Sequence, residues 1–81
     1  MEEEYLGTIK LFAFSYIPPN YLLCDGRTLN IHDYMALYSV LGNYFGGDNQ
    51  QTFCLPDLRG KEPVPYTEYC ICVNGLYPSR S

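Results

Sequence analysis

Clusters of proline, glycine and aspartate bend this chain at four places: Pro18-Pro19, Asp25-Gly26, Gly46-Gly47-Asp48-Asn49 and Pro56-Asp57-Leu58-Arg59-Gly60. Proline lacks a backbone N–H and restricts the residue before it, glycine accepts a positive φ that other residues resist, and aspartate bonds to nearby backbone. Corners so closely spaced leave room only for short strands and short helices.

The stretch GTIKLFAFSY is rich in β-branched and aromatic residues and lies between Gly7 and the double proline, which predicts a strand. Ile9, Leu11 and Ala13 fall on one face and Phe12 and Phe14 on the other, so cover is expected on both sides. In YLLCDGRTLN the Asp-Gly pair favours a tight hairpin between Leu22-Leu23 and Thr28-Leu29. Asn30 can cap a helix, with Leu29 and Tyr34 placed as a hydrophobic staple. Tyr34, Leu37, Tyr38 and Leu41 then repeat at helical spacing, and Gly42 stands where a left-handed stop is needed, predicting a helix over residues 31–41.

Gly46 to Asn49 predict a tight loop into a short strand at Thr52 to Leu55. A glycine pair can cradle phosphate, but that use needs a following helix and a lysine, and neither follows here. At the next corner Pro56 presets φ, Asp57 can accept backbone N–H bonds, and Gly60 redirects the chain. Arg59 can clamp Asp57, Asp25 or a carbonyl-rich loop end, and the expectation is that it ties its own turn to the Asp25-Gly26 corner. Residues 61–68 form a polar, proline-bearing connector, and YCICVNGLYPSRS supplies a last β-rich run. These features predict an α+β fold: one small domain over residues 1–81, with short strands and hairpins around one central helix.

Ordering each residue costs roughly 1.5 kcal/mol, which in so small a chain nearly cancels apolar burial, so staples, metal or oligomerisation usually help. Composition favours oligomerisation. Charged residues make up 17% and aromatic residues 16%, with nine Tyr and no Trp, leaving few charges to cover a monomer's surface.

The net charge is −4, and Lys10, Arg27, Arg59, Lys61 and Arg80 form no basic stripe, which argues against nucleic-acid binding. Glu2, Glu3 and Glu4 read as a solvated acidic end. No apolar stretch reaches membrane-spanning length, and the N-terminus lacks the layout of a signal peptide, so synthesis and initial residence in the cytoplasm are expected. Cys24, Cys54, Cys70 and Cys72 permit three disulfide pairings or a four-thiolate metal site. Their spacings lack the paired hooks of zinc sites, and free, buried thiols are expected.

Catalytic chemistry is sparse. His32 is the one histidine and falls in the first predicted helical turn, where an exposed polar residue is expected. Only three copies meeting on a three-fold axis would gather imidazoles into a metal site. Asp25, Asp48 and Asp57 each sit in a turn where aspartate serves the backbone, and Glu62 and Glu68 have no identifiable partner. No catalytic residue, cofactor or metal is assigned.

Read together, residues 16–60 carry an ordered set of marks: Pro19, Cys24-Asp25-Gly26, Leu29, Tyr34, Leu37, Gly42, Phe45-Gly46-Gly47-Asp48, Phe53 and Leu55-Pro56-Asp57-Leu58-Arg59-Gly60. This set resembles the phage tail collar domain of short tail fibres and of the bacterial microcystin-dependent proteins. The closing YCICVNGLYPSR is similar to the C-terminal end of the latter group. The resemblance implies a small α+β fold, trimeric in tail fibres, that anchors or organises a fibre or spike. It implies a non-enzymatic docking subunit of a phage tail or phage-like contractile injection particle, bound to another tail or fibre protein. Two departures stand out: family members often carry Trp where this chain has Tyr21, and only Lys61 to Glu68 replace a long variable insertion. The alternative is a stand-alone module for a surface glycan or lipid head group, using exposed tyrosines such as Tyr66, Tyr69 or Tyr77.

Overall fold

The corners break the chain into five short strands and one short helix, seen in a computed structural model that describes residues 4–48 and 50–78. Glu2, Glu3, Asn49 and Arg80 lie outside the described residues. The strands are β1 (Ile9–Ala13), β2 (Tyr21–Leu23), β3 (Thr28–Asn30), β4 (Thr52–Cys54) and β5 (Thr67–Cys72). A 3-10 turn (Ile31–Tyr34) leads into the helix α1 (Met35–Leu41). The result is a small α+β domain.

Among the described residues β5 is the last strand, and it is the central one in its sheet. It runs antiparallel to β1, with Leu11 opposite Tyr69, and to β2, with Leu22 opposite Ile71. A second sheet pairs β3 with β4, setting Leu29 opposite Phe53. Alternation along β5 sends Ile71 to one face and Cys70 and Cys72 to the other. Ile71 joins the main core of Leu6, Cys24, Leu29, Leu37, Phe53 and Leu55, in which Phe53 has no exposed surface. Cys70 and Cys72 pack with Tyr21, Phe12 and Leu23 in a smaller cluster.

The predicted helical face is real: Leu37 is buried, and Tyr34, Tyr38 and Leu41 pack against the main core. The helix is nonetheless shorter than expected. Asn30 caps the 3-10 turn by accepting the His32 N–H at 2.8 Å, and Tyr34, at φ −134° and ψ 46°, leaves helical geometry before α1 begins. Gly42, at φ 63°, ends α1 and donates its N–H to the Tyr38 carbonyl.

Three other expectations are corrected. Asp25-Gly26 does not close a hairpin, because β2 and β3 belong to different sheets and the pair is the corner between them. β1 is not covered on both sides: it is an edge strand, and of its five residues only Phe12 is partly buried. The connector is shorter than 61–68, since β5 begins at Thr67.

Candidate functional site

The corners at Asp25 and Asp57 are built alike. Each aspartate uses Oδ1 to accept the backbone N–H two residues on, from Arg27 and from Arg59, at 3.2 Å in both cases. The same oxygen accepts the arginine Nε at 3.0 Å and 2.9 Å, and Oδ2 accepts Nη2 at 3.1 Å and 2.7 Å. Each fork therefore closes on its own aspartate in a bidentate pair that rigidifies one turn.

This geometry corrects the expected role of Arg59. It does not reach across to the Asp25-Gly26 corner, whose carboxylate is occupied by Arg27. The corners are joined by backbone instead. Asp25 and Asp57 form an isolated antiparallel bridge, Leu58 donates to the Cys24 carbonyl at 2.9 Å, Gly26 to Pro56 at 3.2 Å and Leu55 to Arg27 at 3.0 Å. Cys24, Leu55 and Pro56 are buried beneath this seam. Arg27 was not singled out by sequence reasoning, although the Asp-x-Arg spacing shared by both corners carries the signal.

Local hydrogen bonds set the acidity of these groups. The Arg27 side chain holds the Asp25 carboxyl below the usual carboxylate range. Arg59, first through its side chain and then through its N–H, brings Asp57 to about 2. The third corner does the same without an arginine. Asp48 Oδ1 accepts the N–H groups of Gln50, Gln51 and Thr52 at 2.8–2.9 Å, and its pKa falls to about 2. Gly47 fits this loop because it has no side chain: at φ 109°, a Cβ would stand 2.5 Å from Phe53 Cα and from the Thr52 carbonyl. Gly46 accepts the Cys54 N–H, and Gly60 donates to Glu62, giving that carboxylate a partner.

The cysteines are free thiols, with Cys24, Cys70 and Cys72 buried. Burial pushes Cys24 up to about 12 and raises Cys70 as well, so both serve as packing groups. His32 is exposed on the rim of a shallow groove of about 490 Å³ lined also by Asn30, Ile31, Met35, Gln50 and Gln51. Among the described residues no group of three or more His, Cys, Asp or Glu is placed to hold a metal ion, and no helix is long and apolar enough to cross a membrane.

The candidate tyrosines differ in exposure. Tyr66 is 84% exposed, Tyr77 is exposed with its hydroxyl 3.0 Å from Ser39 Oγ, and Tyr69 is half-buried against the main core. Tyr69 is thus a packing residue more than a presented one.

Residues 7–63, which contain all three braced corners, match the Phage Tail Collar Domain. The chain belongs to the phage tail collar family. The collar is a structural domain of phage tails, not an enzyme family, and is found in tail fibre proteins, which are typically oligomeric. The chain is also 39% identical over 61 residues to Protein RhiB of Rhizobium leguminosarum bv. viciae, an overlap covering 70% of this chain. It spans only 28% of RhiB's length. The collar match ends before β5, so the strand at the centre of the larger sheet lies outside the matched residues.

Proposed function

We propose that this collar protein is a non-enzymatic structural subunit of a phage tail fibre or phage-like contractile particle, which self-associates and docks on another tail protein. The observation that carries the reading is an edge strand with apolar side chains in solvent: Ile9 is 41% exposed, Leu11 37% and the adjoining Phe14 63%. Exposed apolar surface on a domain whose corners are braced by backbone bonds suits a part held rigidly by neighbours. Three copies are what the collar resemblance implies, and the domain would sit in the virion tail. Light scattering behind a sizing column tests the self-association: a multimer is expected, and a lone protomer at high micromolar concentration would overturn it.

A second reading, a module for a surface glycan or lipid head group, draws on exposed Tyr66 and Tyr77 and on the uncharged amides of Asn30, Gln50 and Gln51 around the shallow groove. Glycan-array and liposome binding separate the readings, because a docking subunit ignores both probes.

A further inference from the structure

Two turns at one end of the larger sheet put serine and tyrosine where glycine is usual. β1 leaves through a turn closed by the Tyr16 N–H on the Ala13 carbonyl at 3.2 Å, with Ser15 at φ 70° as its third residue. β5 is entered through a turn at Val64 to Thr67, in which Thr67 Oγ1 donates to the Val64 carbonyl at 2.7 Å. Pro65 stands second in that turn and Tyr66, at φ 61°, third. A third position of positive φ suits glycine or asparagine, and a bulky ring held there is an outlier of the kind that collects at functional sites. Six other positions of positive φ among the described residues are glycine. Within the protomer the Tyr66 ring is 84% exposed and makes no hydrogen bond or aromatic contact among the described residues.

The Phe14 N–H bonds the Tyr66 carbonyl at 2.8 Å and Ala13 lies opposite Thr67, which sets the two turns side by side. Phe14, Tyr16, Ile17 and Val64 are exposed at this tip together with Tyr66. Its three aromatic side chains present roughly 400 Å² to solvent, in the range where an exposed patch marks a contact site. No Asp, Glu, Lys or Arg falls in residues 11–24 or 63–67, which supply the tip.

We propose that this tip is the surface at which three copies of the chain meet about a three-fold axis. The inference rests on the self-associating reading above, from which the number of copies comes, and adds to it the contact. The occupant follows from what a symmetry axis demands. A residue beside the axis faces its own copies, so a charge there meets a like charge, and each protomer already carries −4. Neutral rings avoid that repulsion. The hydroxyls of Ser15, Tyr16 and Tyr66 are each donor and acceptor, so three equivalent ones can close a ring of hydrogen bonds, each donating to the next; an ammonium or a carboxylate cannot. The other prominently exposed ring, Tyr44 at 85%, lacks the positive φ and already packs edge-on against Phe45 at 5.2 Å.

Tyr44 and Tyr66 are therefore a matched pair for the test. Light scattering of the intact protein gives the number of copies, with three expected. A monomer at high micromolar concentration overturns both the contact and the reading it rests on, whereas a dimer or tetramer overturns the three-fold contact alone. In the assembled protein, NMR relaxation by a dissolved gadolinium chelate should spare the Tyr66 and Phe14 rings and strongly broaden Tyr44, although the two tyrosines are almost equally exposed in the protomer. A trimer in which Tyr66 relaxes as fast as Tyr44 overturns the contact and leaves self-association standing. Tyr66→Gly supplies a second arm. Glycine accepts φ 61° without strain, so the circular dichroism spectrum should be retained while association weakens at least tenfold, and Tyr44→Ala should associate like the parent. A folded Tyr66→Gly variant that assembles like the parent, or assembly lost in Tyr44→Ala alone, overturns the proposal.

Discussion

Asp25 and Asp57 face each other across an isolated antiparallel bridge, each gripping the arginine two residues further along the chain. Two similar braces back to back hold the exit of β2 against the exit of β4, and the hydrogen bonds that cross between them are backbone ones. The consequence is an unequal pair of corners. Asp25 is less exposed than Asp57, with side-chain exposures of 23% and 46%.

Asp25→Ala should therefore destabilise more than Asp57→Ala. Losing hydrogen bonds to a half-buried carboxylate costs about 1–2 kcal/mol, whereas the more exposed corner is screened by solvent and loses less. Arg59→Ala should lower the melting temperature only slightly, since its fork braces one turn. Thermal melts of the three variants check the order, and equal losses at the two aspartates would contradict it.

Acid should unfold the protein through its corners. Asp48 and Asp57 have pKa values of about 2 in the folded chain, against roughly 3.9 for an unfolded aspartate. A depressed folded value means that the stabilisation is complete above the unfolded pKa and disappears as pH falls through the folded one. Melting temperatures should thus drop between about pH 4 and pH 2. Asp48→Asn, whose amide oxygen can still accept N–H bonds, should flatten that drop; an unchanged profile would remove Asp48 from the account.

Gly47 and Gly42 both have positive φ, yet they should respond differently to alanine. At Gly42 nothing lies within 4 Å of the added carbon, so the cost is that of the backbone conformation, φ 63° and ψ −158°, a region all but reserved for glycine that costs about 1–3 kcal/mol. At Gly47 the added carbon collides with the Phe53 and Thr52 backbone, which adds an overpacking cost of about 1–3 kcal/mol. Chemical denaturation of Gly42→Ala and Gly47→Ala measures the difference, and equal midpoints would mean that the loop shifts freely.

The thiols should divide by burial. Cys54 is only partly covered and lies 3.4 Å from Thr28 Oγ1, whereas Cys24, Cys70 and Cys72 are enclosed. With a maleimide reagent, mass spectrometry of the native protein should find Cys54 labelled first and Cys24, Cys70 and Cys72 labelled only after denaturation. Early labelling of Cys70 or Cys72 would mean that their face of the sheet opens readily.

What the sequence made legible was local. The Asn30 cap, the Tyr34-Leu37-Tyr38-Leu41 face, the Gly42 stop and the Asx turn at Asp57 each depend on residues a few positions apart, so patterning found them. The Asp-Gly corner misled because turn chemistry specifies a bend without specifying which strands pair across it. Leu22 lies opposite Ile71, far along the chain, and no short-range signal encodes that choice. The apolar faces of β1 predicted cover for a related reason: the pattern records that Ile9 and Leu11 favour burial, not that the domain lacks a layer to bury them. Arg27 escapes sequence patterning because Asp25-Gly26 has the signature of a hairpin turn, and the kinship with Asp57-x-Arg59 shows only in space, where the two turns lie side by side.

The placement of Thr67–Cys72 between two strands from the beginning of the chain bears on biosynthesis. Among the described residues neither β1 nor β2 has another sheet partner, so a nascent polypeptide emerging from the ribosome must wait, its tyrosine-rich early segment unpaired, until Cys72 has cleared the tunnel. Pairing delayed in this way is slow and leaves strand edges open to aggregation.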